Sequence, residues 1–572
     1  MRGTWYNNKE MVTTDVLVVG GGGAAARAAL AARTAGATVR LVTKGKNMAD
    51  GSTVTAVSEL FAIGAALRHA NDQDSPEIHY QDTLRAGEGF INPELVRILA
   101  EEAPERVLEL KEWGVPFQHE GNYLAQRLSD FASYPRVCWV EDGATGREIV
   151  RVLLGKLKEL EVPIDEEVMI VQLLENEGSI CGAVGLEAVT NRLIVYRAKS
   201  VVLATGGAQQ LYKFNVGSKM MTGDGYALAL DLGLPVINME FVQFGPGMIY
   251  PKTQVLSGPI YRLQPRLYNG DNEEFLHKYL PMTVTETEVF ANKAFPFSAN
   301  NISKYLDLAI FQEVKSGRST KHGGVLLDLR SSSADLMETI PITWKRLQEL
   351  GIDPREQCLE VSIIAQCMNG GVLMKDPNGE TDIDGLFVAG EVAGGARGPD
   401  RPGGNSLAEC QVFGHRAGWA AAQREGSGRF IELSVRWAEA GLKNRLNNDS
   451  GPAAGKLRHE VQQLMWDNCL VIRDEAGLKR TMARLEELTE MASSGFSRGT
   501  ETPFVALGTA NLITVARTVA LSALLRRESR STHYRKDYPQ PGGSEWVKSL
   551  LIRQAADGSL TATNKQWVEQ IE

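Results

Sequence analysis

The feature that most constrains this chain is a strand–turn–helix pattern near its start, between Asp15 and Lys44. Four apolar residues of strand length, 16–19, run directly into four glycines, and an alanine-rich helical segment and a second short strand follow. A turn of this kind lets the backbone approach a pyrophosphate, and the helix N-terminus adds unpaired N–H groups and a partial positive charge. The sequence therefore predicts a Rossmann-like unit that binds a dinucleotide. The positions predicted to hold it are Gly20, Gly22, Gly23, Ala24 and Ala25.

The second strand of this unit ends in Thr43 and Lys44, where an NAD-binding unit carries an acidic residue for the ribose. The glycine turn alone therefore leaves open whether the dinucleotide is FAD. The segment 47–67 that follows is small, polar and glycine-bearing, which suits close approach of the backbone to a flavin. We expect Thr43, Lys44 and the stretch Gly51, Ser52 and Thr53 to contact the cofactor.

Composition and charge exclude several classes of protein. The chain of 572 residues is long enough for two or three domains, and 43% hydrophobic with 23% charged residues is typical of a soluble globular protein. A net charge of −9 without a long basic block argues against nucleic-acid binding. No apolar run is interpreted as a membrane span, and residues 1–12 lack an apolar signal-peptide core. We therefore expect a cytoplasmic protein without direct membrane insertion.

The cysteines are scattered and form no C-x-x-C pair. That spacing argues against a disulfide framework, a zinc site or an iron–sulfur cluster of the chain's own, so we predict reduced thiols and no metal site. The six positions are Cys138, Cys181, Cys358, Cys367, Cys410 and Cys469.

The pattern of strands, helices and glycine turns predicts an α/β protein with three parts. A Rossmann-like FAD-binding domain is expected to be discontinuous, over 1–234 and 351–425, because strand–glycine-turn patterns occur in both stretches. Residues 235–350 are rich in Pro, Phe, Tyr and Asn and are predicted to form an inserted α+β capping domain that covers the substrate. Residues 426–572 have apolar residues at helical spacing and predict a C-terminal helical domain with a tail.

Six motifs occur together in one order: ATGG (204–207), TGDG (222–225), EFVQF (240–244), GLFVAGE (385–391), RPGGNSLAE (401–409) and HYRKDYP (533–539). With the N-terminal glycine turn, this set resembles the fumarate reductase/succinate dehydrogenase flavoprotein family, to which L-aspartate oxidase belongs. The resemblance extends over about residues 14–545 and implies FAD as the cofactor. It further implies contacts from Ala204, Thr205, Gly206, Gly207, Thr222, Asp224, Gly390, Glu391, Asn405, Ser406 and Leu407.

The resemblance also implies how the flavin is held. Glu391 is expected on the ribityl or ribose hydroxyls, and the helix that begins at Asn405 is expected to direct its N-terminus at the isoalloxazine, where it stabilises negative charge on the reduced ring. Members of membrane complexes attach FAD through a histidine in an S-H-T element. The matching place here reads Gly51-Ser52-Thr53, as in the oxidase-type members, so we predict noncovalent FAD.

The substrate positions implied by the family are largely changed. The family moves hydrogen across a carbon–carbon bond next to a carboxylate, with Arg and His groups that clamp carboxylates and a cationic residue that handles the proton. At two positions where the family has His, this chain has Gly245 and Gln366. In an alignment without gaps, Ser303 stands at the position of the family's proton-transferring Arg. Trp139 stands where the family usually has a further His, and it is equally compatible with core packing. Gln264 replaces an acidic residue of the family.

Arg401, in RPGGNSL, matches the family's substrate-binding Arg; its alternative role is to tie two loops together. Arg262 is retained in RLQP, Gln366 stands at a former histidine, and Tyr305 lies close to the lost proton donor. We predict these four residues, Arg401, Arg262, Gln366 and Tyr305, as the catalytic set.

One Arg among neutral residues is a poor site for two carboxylates, which each require pairing when buried. The leading hypothesis is therefore an FAD-dependent oxidoreductase that transfers two electrons to or from a small organic substrate other than a C4 dicarboxylate. It would belong to an oligomer or complex and exchange electrons with an iron–sulfur, ferredoxin-like subunit. One alternative is fumarate reductase, succinate dehydrogenase or L-aspartate oxidase with relocated catalytic groups. Another is a flavoprotein that has lost substrate chemistry and serves as an electron-transfer subunit.

Overall fold

The computed structural model describes residues 9–47, 49–59, 61–256, 258–332, 335–426, 428–446, 448, 450–497 and 501–567. Residues 1–8, which make up most of the stretch 1–12 that was predicted to lack a signal-peptide core, lie outside these ranges. Met48 and Leu60 of the segment 47–67 also lie outside them.

The first part of the fold ends at residue 231. Its strands are β1 (Lys9–Val19), β2 (Val39–Val42), β3 (Ile63–Gly64), β4 (His119–Glu120), β5 (Tyr123–Leu124), β6 (Val137–Cys138), β7 (Ile164–Asp165), β8 (Val168–Asn176), β9 (Ser179–Glu187) and β10 (Leu193–Leu203). Its helices are α1 (Gly23–Thr34), α2 (Ser52–Thr55), α3 (Pro76–Gly87), α4 (Pro93–Glu112), α5 (Thr145–Glu159) and α6 (Asp224–Asp231).

The second part runs from residue 236 to residue 368. Its strands are β11 (Val236–Ile237), β12 (Val242–Tyr250), β13 (Gln254–Val255), β14 (Arg266–Tyr268), β15 (Val325–Asp328) and β16 (Leu359–Met368). Its helices are α7 (Gly258–Arg262), α8 (Glu286–Ala291), α9 (Lys304–Lys315), α10 (Leu336–Thr339) and α11 (Pro341–Glu349).

The third part begins at residue 371. Its strands are β17 (Gly371–Leu373), β18 (Leu386–Val388), β19 (Ala393–Gly394), β20 (Ser549–Gln554) and β21 (Leu560–Lys565). Its helices are α12 (Asn405–Gln423), α13 (Glu432–Leu446), α14 (Ala454–Cys469), α15 (Glu475–Ser493) and α16 (Pro503–Leu525).

The central sheet carries the nucleotide-binding half and has the strand order β7-β2-β1-β10-β9-β8, with β18 also paired to β10. β7, β2, β1, β10 and β18 are parallel to one another, whereas β9 runs antiparallel to both β10 and β8 at one edge. The apolar run 16–19 is buried on both faces, as expected for a strand in the middle of a parallel sheet. The predicted strand–turn–helix unit is therefore present, and it lies at the centre of the sheet.

The alanine-rich helix α1 packs on α12, and small residues allow the close approach. A side chain at Gly418 would overlap the carbonyl oxygen of Ala28, and one at Gly414 would reach the backbone of Ala24. α12 begins more than 370 positions after α1 along the chain, which is why the nucleotide-binding half is discontinuous.

A second sheet, β13-β12-β16-β15-β14, is antiparallel and forms the capping part. β16 pairs with β12 along Val242–Tyr250 and with β15. The predicted boundary at residue 350 was wrong in this respect, because it separates β16 from the sheet to which it belongs. The strand lacks a local signal for this partnership, since β12 lies more than 100 positions earlier in the chain.

The C-terminal part contains the predicted helices, and its final hairpin has a structural role. β20 and β21 join a third sheet, β19-β17-β11-β20-β21, so the residues interpreted as a tail pair with strands of the earlier parts. Helix α16 is long and apolar enough to cross a membrane by length and composition, contrary to the sequence expectation. Of its most apolar window, 72% is buried inside the protein, which is typical of a core helix.

Candidate functional site

A cavity of about 890 Å³ lies where three parallel strands, β1, β10 and β18, reach their carboxyl ends. Ligands bind at this edge in open α/β sheets. Most residues predicted to contact the cofactor line this cavity. They are Gly20, Gly22, Gly23, Ala24, Thr43, Lys44, Gly51, Ser52, Thr53, Ala204, Thr205, Gly206, Asp224, Glu391, Ser406 and Leu407.

Five of the predicted contacts stand behind the cavity wall and support it. Ala25 is fully buried beneath Gly20, and Thr222 accepts a hydrogen bond from Lys44 (2.6 Å). A side chain at Gly390 would meet Ala24, and one at Gly207 would meet the carboxylate of Glu391. Asn405, the last of the five, holds the start of α12.

The lining of the cavity fits FAD by its chemistry. Several polar atoms in the wall are buried without a hydrogen-bond partner among the described residues, among them Ser52 Oγ, Thr205 Oγ1 and Gln209 Oε1. Such atoms require a partner when buried, and the hydroxyls and phosphates of a dinucleotide supply one. The glycine turn adds the open backbone surface that a pyrophosphate needs, and a side chain at Gly21 would collide with Thr43.

Glu391 is a half-buried carboxylate in the cavity wall. Its Oε1 accepts hydrogen bonds from Gln209 Nε2 (2.6 Å) and from the backbone N–H of Met368 (2.9 Å). Burial raises the pKa of Glu391, while the charge of Arg397 and these hydrogen bonds oppose the rise. This placement suits the predicted acceptor for ribose or ribityl hydroxyls.

Lys44 closes the end of β2 with an ion pair. Its Nζ lies 2.9 Å from Asp224 Oδ2, and both side chains are largely buried. Thr222 Oγ1 donates to Asp224 Oδ1 (2.6 Å), and Asn511 Nδ2 of α16 donates to the same oxygen (2.9 Å). These contacts fix Asp224 beside Lys44, just beyond the end of β2, where the chain has no acidic residue of its own.

The N-terminus of α12 faces the cavity through Ser406 and Leu407. It is anchored from behind, because His79 Nε2 lies 2.8 Å from Asn405 Oδ1 and Asn405 Nδ2 donates to Thr83 Oγ1 (3.1 Å). Gly404 precedes the helix with φ of +91°, and a side chain there would collide with the backbone of Gly64. The anchored helix directs a partial positive charge into the cavity.

One end of the cavity is walled by the cap. A side chain at Gly245 would overlap the ring of Phe295, so this ring fills the space beside the position that the family pattern gives to His. Phe295 and Pro296 both line the cavity, as do Gln366 and Cys367. This end of the cavity is therefore partly aromatic, and neutral residues stand at the positions where the family pattern has imidazoles.

Arg401 lines this end, as predicted, and lies in a polar cluster. Its backbone N–H donates to Asp400 Oδ1 (3.0 Å), and its Nη1 donates to the carbonyl oxygen of Pro402 (3.2 Å). Gln243 Nε2 donates to the same Asp400 oxygen (3.0 Å), and Cys367 Sγ donates to Gln243 Oε1 (2.9 Å). Burial raises the pKa of Asp400 to about 7 and that of Cys367 to about 11.

A second buried arginine, Arg397, is occupied by the protein. It donates to the carbonyl oxygens of Met368, Ala393 and Glu391 and lies 3.0 Å from Glu409 Oε2. Its role is to fix the loop between β18 and α12. Arg401 forms fewer hydrogen bonds within the protein than Arg397, and its Nε is buried without a hydrogen-bond partner among the described residues.

Two of the predicted catalytic residues lie away from the cavity wall. Arg262 is exposed at the end of α7, although its charge still acts on Asp130. Tyr305 packs against the apolar core in the first turn of α9. Trp139 is covered by the guanidinium of Arg127, 3.6 Å from the ring centroid, and is likewise outside the lining.

The sequence interpretation missed several residues of this end: Asp130, Gln243, Phe295 and Cys367. Gln243 lies inside the recognised EFVQF motif and could have been selected from it. Asp130 and Phe295 lie in loops whose position is set by contacts with distant segments, so no local pattern marks them.

Comparisons with known proteins agree with this architecture. A family model described as FAD binding domain matches residues 15–407, and one described as fumarate reductase flavoprotein C-term matches residues 458–570. The chain is 34% identical over 528 residues to a subunit of the fumarate reductase (CoM/CoB) of Methanothermobacter marburgensis, covering 90% of this chain and 92% of that protein.

Solved structures are similar over nearly the whole chain. Mycobacterium smegmatis Sdh1 in complex with UQ1 has a TM-score of 0.86 and 31% identity, with 98% of this chain and 96% of that chain covered. A variant of the Escherichia coli quinol fumarate reductase flavoprotein has a TM-score of 0.85 and 28% identity, with 98% of each chain covered. The predicted fold class and the FAD cofactor are confirmed. The chain belongs to the fumarate reductase/succinate dehydrogenase flavoprotein family and is an FAD-dependent oxidoreductase.

Proposed function

We propose that this oxidoreductase adds or removes two hydrogens across a carbon–carbon bond of an organic substrate that is larger than a C4 dicarboxylate and carries one anionic group. The observation that carries the proposal is the filling of the Gly245 position by the ring of Phe295. An aromatic wall there binds apolar substrate surface and offers no charge for a second carboxylate.

The bound FAD would supply the exchange of a hydride with the substrate. Arg401 is placed to hold the anionic group, because its guanidinium lines the cavity and its Nε has no partner among the described residues. The N-terminus of α12 at Ser406 stabilises negative charge that develops nearby. Phe295 and Pro296 exclude water from the cap side of the cavity.

We further propose that electrons reach or leave the flavin through an iron–sulfur partner subunit. Among the residues that the structure describes, no group of three or more His, Cys, Asp or Glu side chains could hold a metal ion. The relative from Methanothermobacter marburgensis is named as one subunit of a fumarate reductase, and those from Escherichia coli and other bacteria are named as flavoprotein subunits. These names favour a chain that works within a complex.

Noncovalent attachment of the flavin follows from Ser52, which stands where the covalent members have His. Acid precipitation of the purified holoprotein is expected to release all of its FAD into the supernatant. The released flavin would be quantified by absorbance, and the pellet would be examined for fluorescence on a denaturing gel. Flavin that remains with the protein after precipitation would contradict the proposal.

Anaerobic stopped-flow measurements test the substrate class. The reduced holoenzyme is mixed with two bulky monocarboxylates, trans-3-benzoylacrylate and cinnamate, and separately with fumarate; reoxidation of the flavin is recorded. We expect faster reoxidation by at least one of the monocarboxylates than by fumarate. Fast reoxidation by fumarate alone would favour the second candidate, fumarate reductase with relocated groups, which the naming of the similar proteins supports.

Arg401→Ala is expected to raise KM for the accepted monocarboxylate about 10- to 100-fold, since a hydrogen bond to a charged group contributes about 1.5–3 kcal/mol. Arg401→Lys keeps the charge without the planar fork and should lie between this variant and the wild type. The matched control is Arg436→Ala, which removes an exposed arginine on α13. An unchanged KM in Arg401→Ala, with FAD still bound, would remove this residue from the site.

A further inference from the structure

Asp130 lines the cavity, and its carboxylate is not paired with another group of the protein that the structure describes. Its side chain forms no hydrogen bond or ion pair with any residue that the structure describes. Every other acidic side chain discussed at this end has a partner: Asp400 accepts from Gln243, and Glu409 pairs with Arg397. An unpaired carboxyl group in a cavity wall is available to a substrate.

The backbone around Asp130 is held against the loop that carries Arg401. The N–H of Gly403 donates to the carbonyl oxygen of Asp130 (3.1 Å), and Ser129 Oγ donates to the carbonyl oxygen of Gly403 (3.0 Å). A side chain at Gly403 would lie 2.8 Å from Ser129 Cβ, so the two segments are in close contact. The backbone at Asp130 is therefore held against the loop that carries Arg401.

Three cations face Asp130 from different elements, and each has another partner or is exposed. Arg262 lies at the exposed end of α7, Lys293 follows α8, and Arg401 lies before α12. Lys293 is already paired with Asp307 (2.7 Å). Burial raises the pKa of Asp130 to about 6 against the opposing effect of the three cations. Both protonation states of its carboxyl group are thus populated near neutral pH.

We propose, building on the function proposed above, that Asp130 exchanges the proton of the substrate and that the reacting bond lies next to a ketone or thioester carbonyl. In the direction of reduction, a hydride adds to the β-carbon, the carbon–carbon π bond breaks, and the electron pair moves to the carbonyl oxygen as an enolate. The carboxylic acid of Asp130 then protonates the α-carbon, and water reprotonates the carboxylate. In the direction of oxidation, the carboxylate removes the α-proton.

The chemistry of a carboxyl group limits the activating group of the substrate. A proton-transferring group is most efficient when its pKa is near the operating pH, and a carboxylate is a sufficient base for a carbon beside a ketone. Beside a carboxylate, proton removal would concentrate two negative charges on the oxygens of one enediolate. Like charges in a partly desolvated site are strongly unfavourable. A ketone or thioester enolate carries one charge, which the nearby guanidinium of Arg401 opposes.

Proton exchange can be measured without any redox step. The oxidised holoenzyme in D₂O is mixed with 3-benzoylpropionate, and separately with the N-acetylcysteamine monothioester of glutarate, which keeps one free carboxylate. Loss of the proton signal beside the ketone or thioester carbonyl is followed by NMR. We expect the wild type to catalyse exchange with at least one probe, and Asp130→Asn to slow it about 100-fold or more. Asp130→Glu should restore part of the rate, and FAD content should stay unchanged in both variants.

The pH profile separates Asp130 from its neighbours. In reduction of trans-3-benzoylacrylate the acid form is required, so kcat/KM should be level below about pH 6 and fall tenfold per pH unit above it. In proton exchange the carboxylate is required, and the rate should fall below the same pH. Both pH dependences should vanish in Asp130→Asn. They should persist in Asp400→Asn, because the pKa of Asp400 is about 7 and a transition near pH 6 belongs to Asp130.

The outcomes distinguish this proposal from the proposed function. Three results would each overturn the role of Asp130. They are equal exchange rates in wild type and Asp130→Asn, exchange that is lost in Cys367→Ala instead, and no catalysed exchange with either probe. Reoxidation of the reduced enzyme by cinnamate, which has only a carboxylate beside its double bond, at a rate equal to that by trans-3-benzoylacrylate would overturn the carbonyl assignment. That last result would leave the proposed function intact. Failure of every monocarboxylate in the stopped-flow assay, with exchange retained, would overturn the proposed function alone.

Discussion

Replacement of Arg526 by Met is expected to lower the free energy of unfolding by about 3–5 kcal/mol, the range found when one partner of a buried ion pair is removed. The guanidinium is almost fully buried and lies 2.6 Å from Glu240 Oε1 and 3.0 Å from Glu528 Oε1. It also covers the ring of Phe90 and donates to the carbonyl oxygen of Lys548 (2.8 Å). Without it, Glu240 is left as a buried charge, and the measurement is urea unfolding of the holoprotein.

Two further variants give this prediction its controls. Arg484→Met breaks a half-exposed pair with Glu460 on the C-terminal helices and should cost only about 0–1 kcal/mol. The double replacement Arg526→Met with Glu240→Leu removes both charges and should recover part of the lost stability. If the two single arginine variants unfold at the same urea concentration, the buried network does not have the role assigned to it.

Gly20→Ala is expected to weaken FAD binding by at least about tenfold, because a residue forced into a rarely populated backbone conformation costs about 1–3 kcal/mol. Gly20 has φ of +138°, and an added Cβ would overlap the carbonyl oxygen of Ala204 at the end of β10. Either the turn or the neighbouring strand must move, and both form the cradle for the pyrophosphate. The dissociation constant would be measured by titrating the apoprotein with FAD.

Gly36→Ala provides the matched control for the turn. Gly36 also has a positive φ, of +94°, but no atom lies within 4 Å of the position of the added Cβ. The control should lose about 1 kcal/mol of stability and keep its affinity for FAD. Equal loss of affinity in the two variants would show that backbone strain, rather than the contact with Ala204, sets the effect.

The parts of the molecule that sequence could predict are those with local causes. The buried run 16–19, the glycines after it and the alanines of α1 specify a strand, a turn and a helix within 20 residues, and the structure contains all three. Glu391 and Arg401, which were selected from the family motifs, both line the cavity. Local pattern and recognised motif together therefore account for most of the predicted cofactor contacts that line the cavity.

The parts that sequence could not predict depend on distant contacts. Ser129 and Gly403, which fix Asp130 beside Arg401, are 274 positions apart, and neither has a pattern that indicates the other. The boundary of the cap failed for the same reason, because β16 finds its partner in β12 across more than 100 residues. Arg262 was selected as the retained Arg of a family element, and Tyr305 because it lies close along the chain to the lost proton donor. The path of the cap helices places both outside the lining.

The pairing of β11 with β20 has a consequence for synthesis of the protein in the cell. Val236 pairs with Ile552, so the strand that joins the nucleotide-binding half to the cap has an open edge until more than 300 further residues have left the ribosome. Unpaired strand edges invite association with other chains, and contacts of such sequence separation form slowly. Nascent chains of this protein therefore have an interval in which a chaperone that covers strand edges would raise the yield of folded flavoprotein.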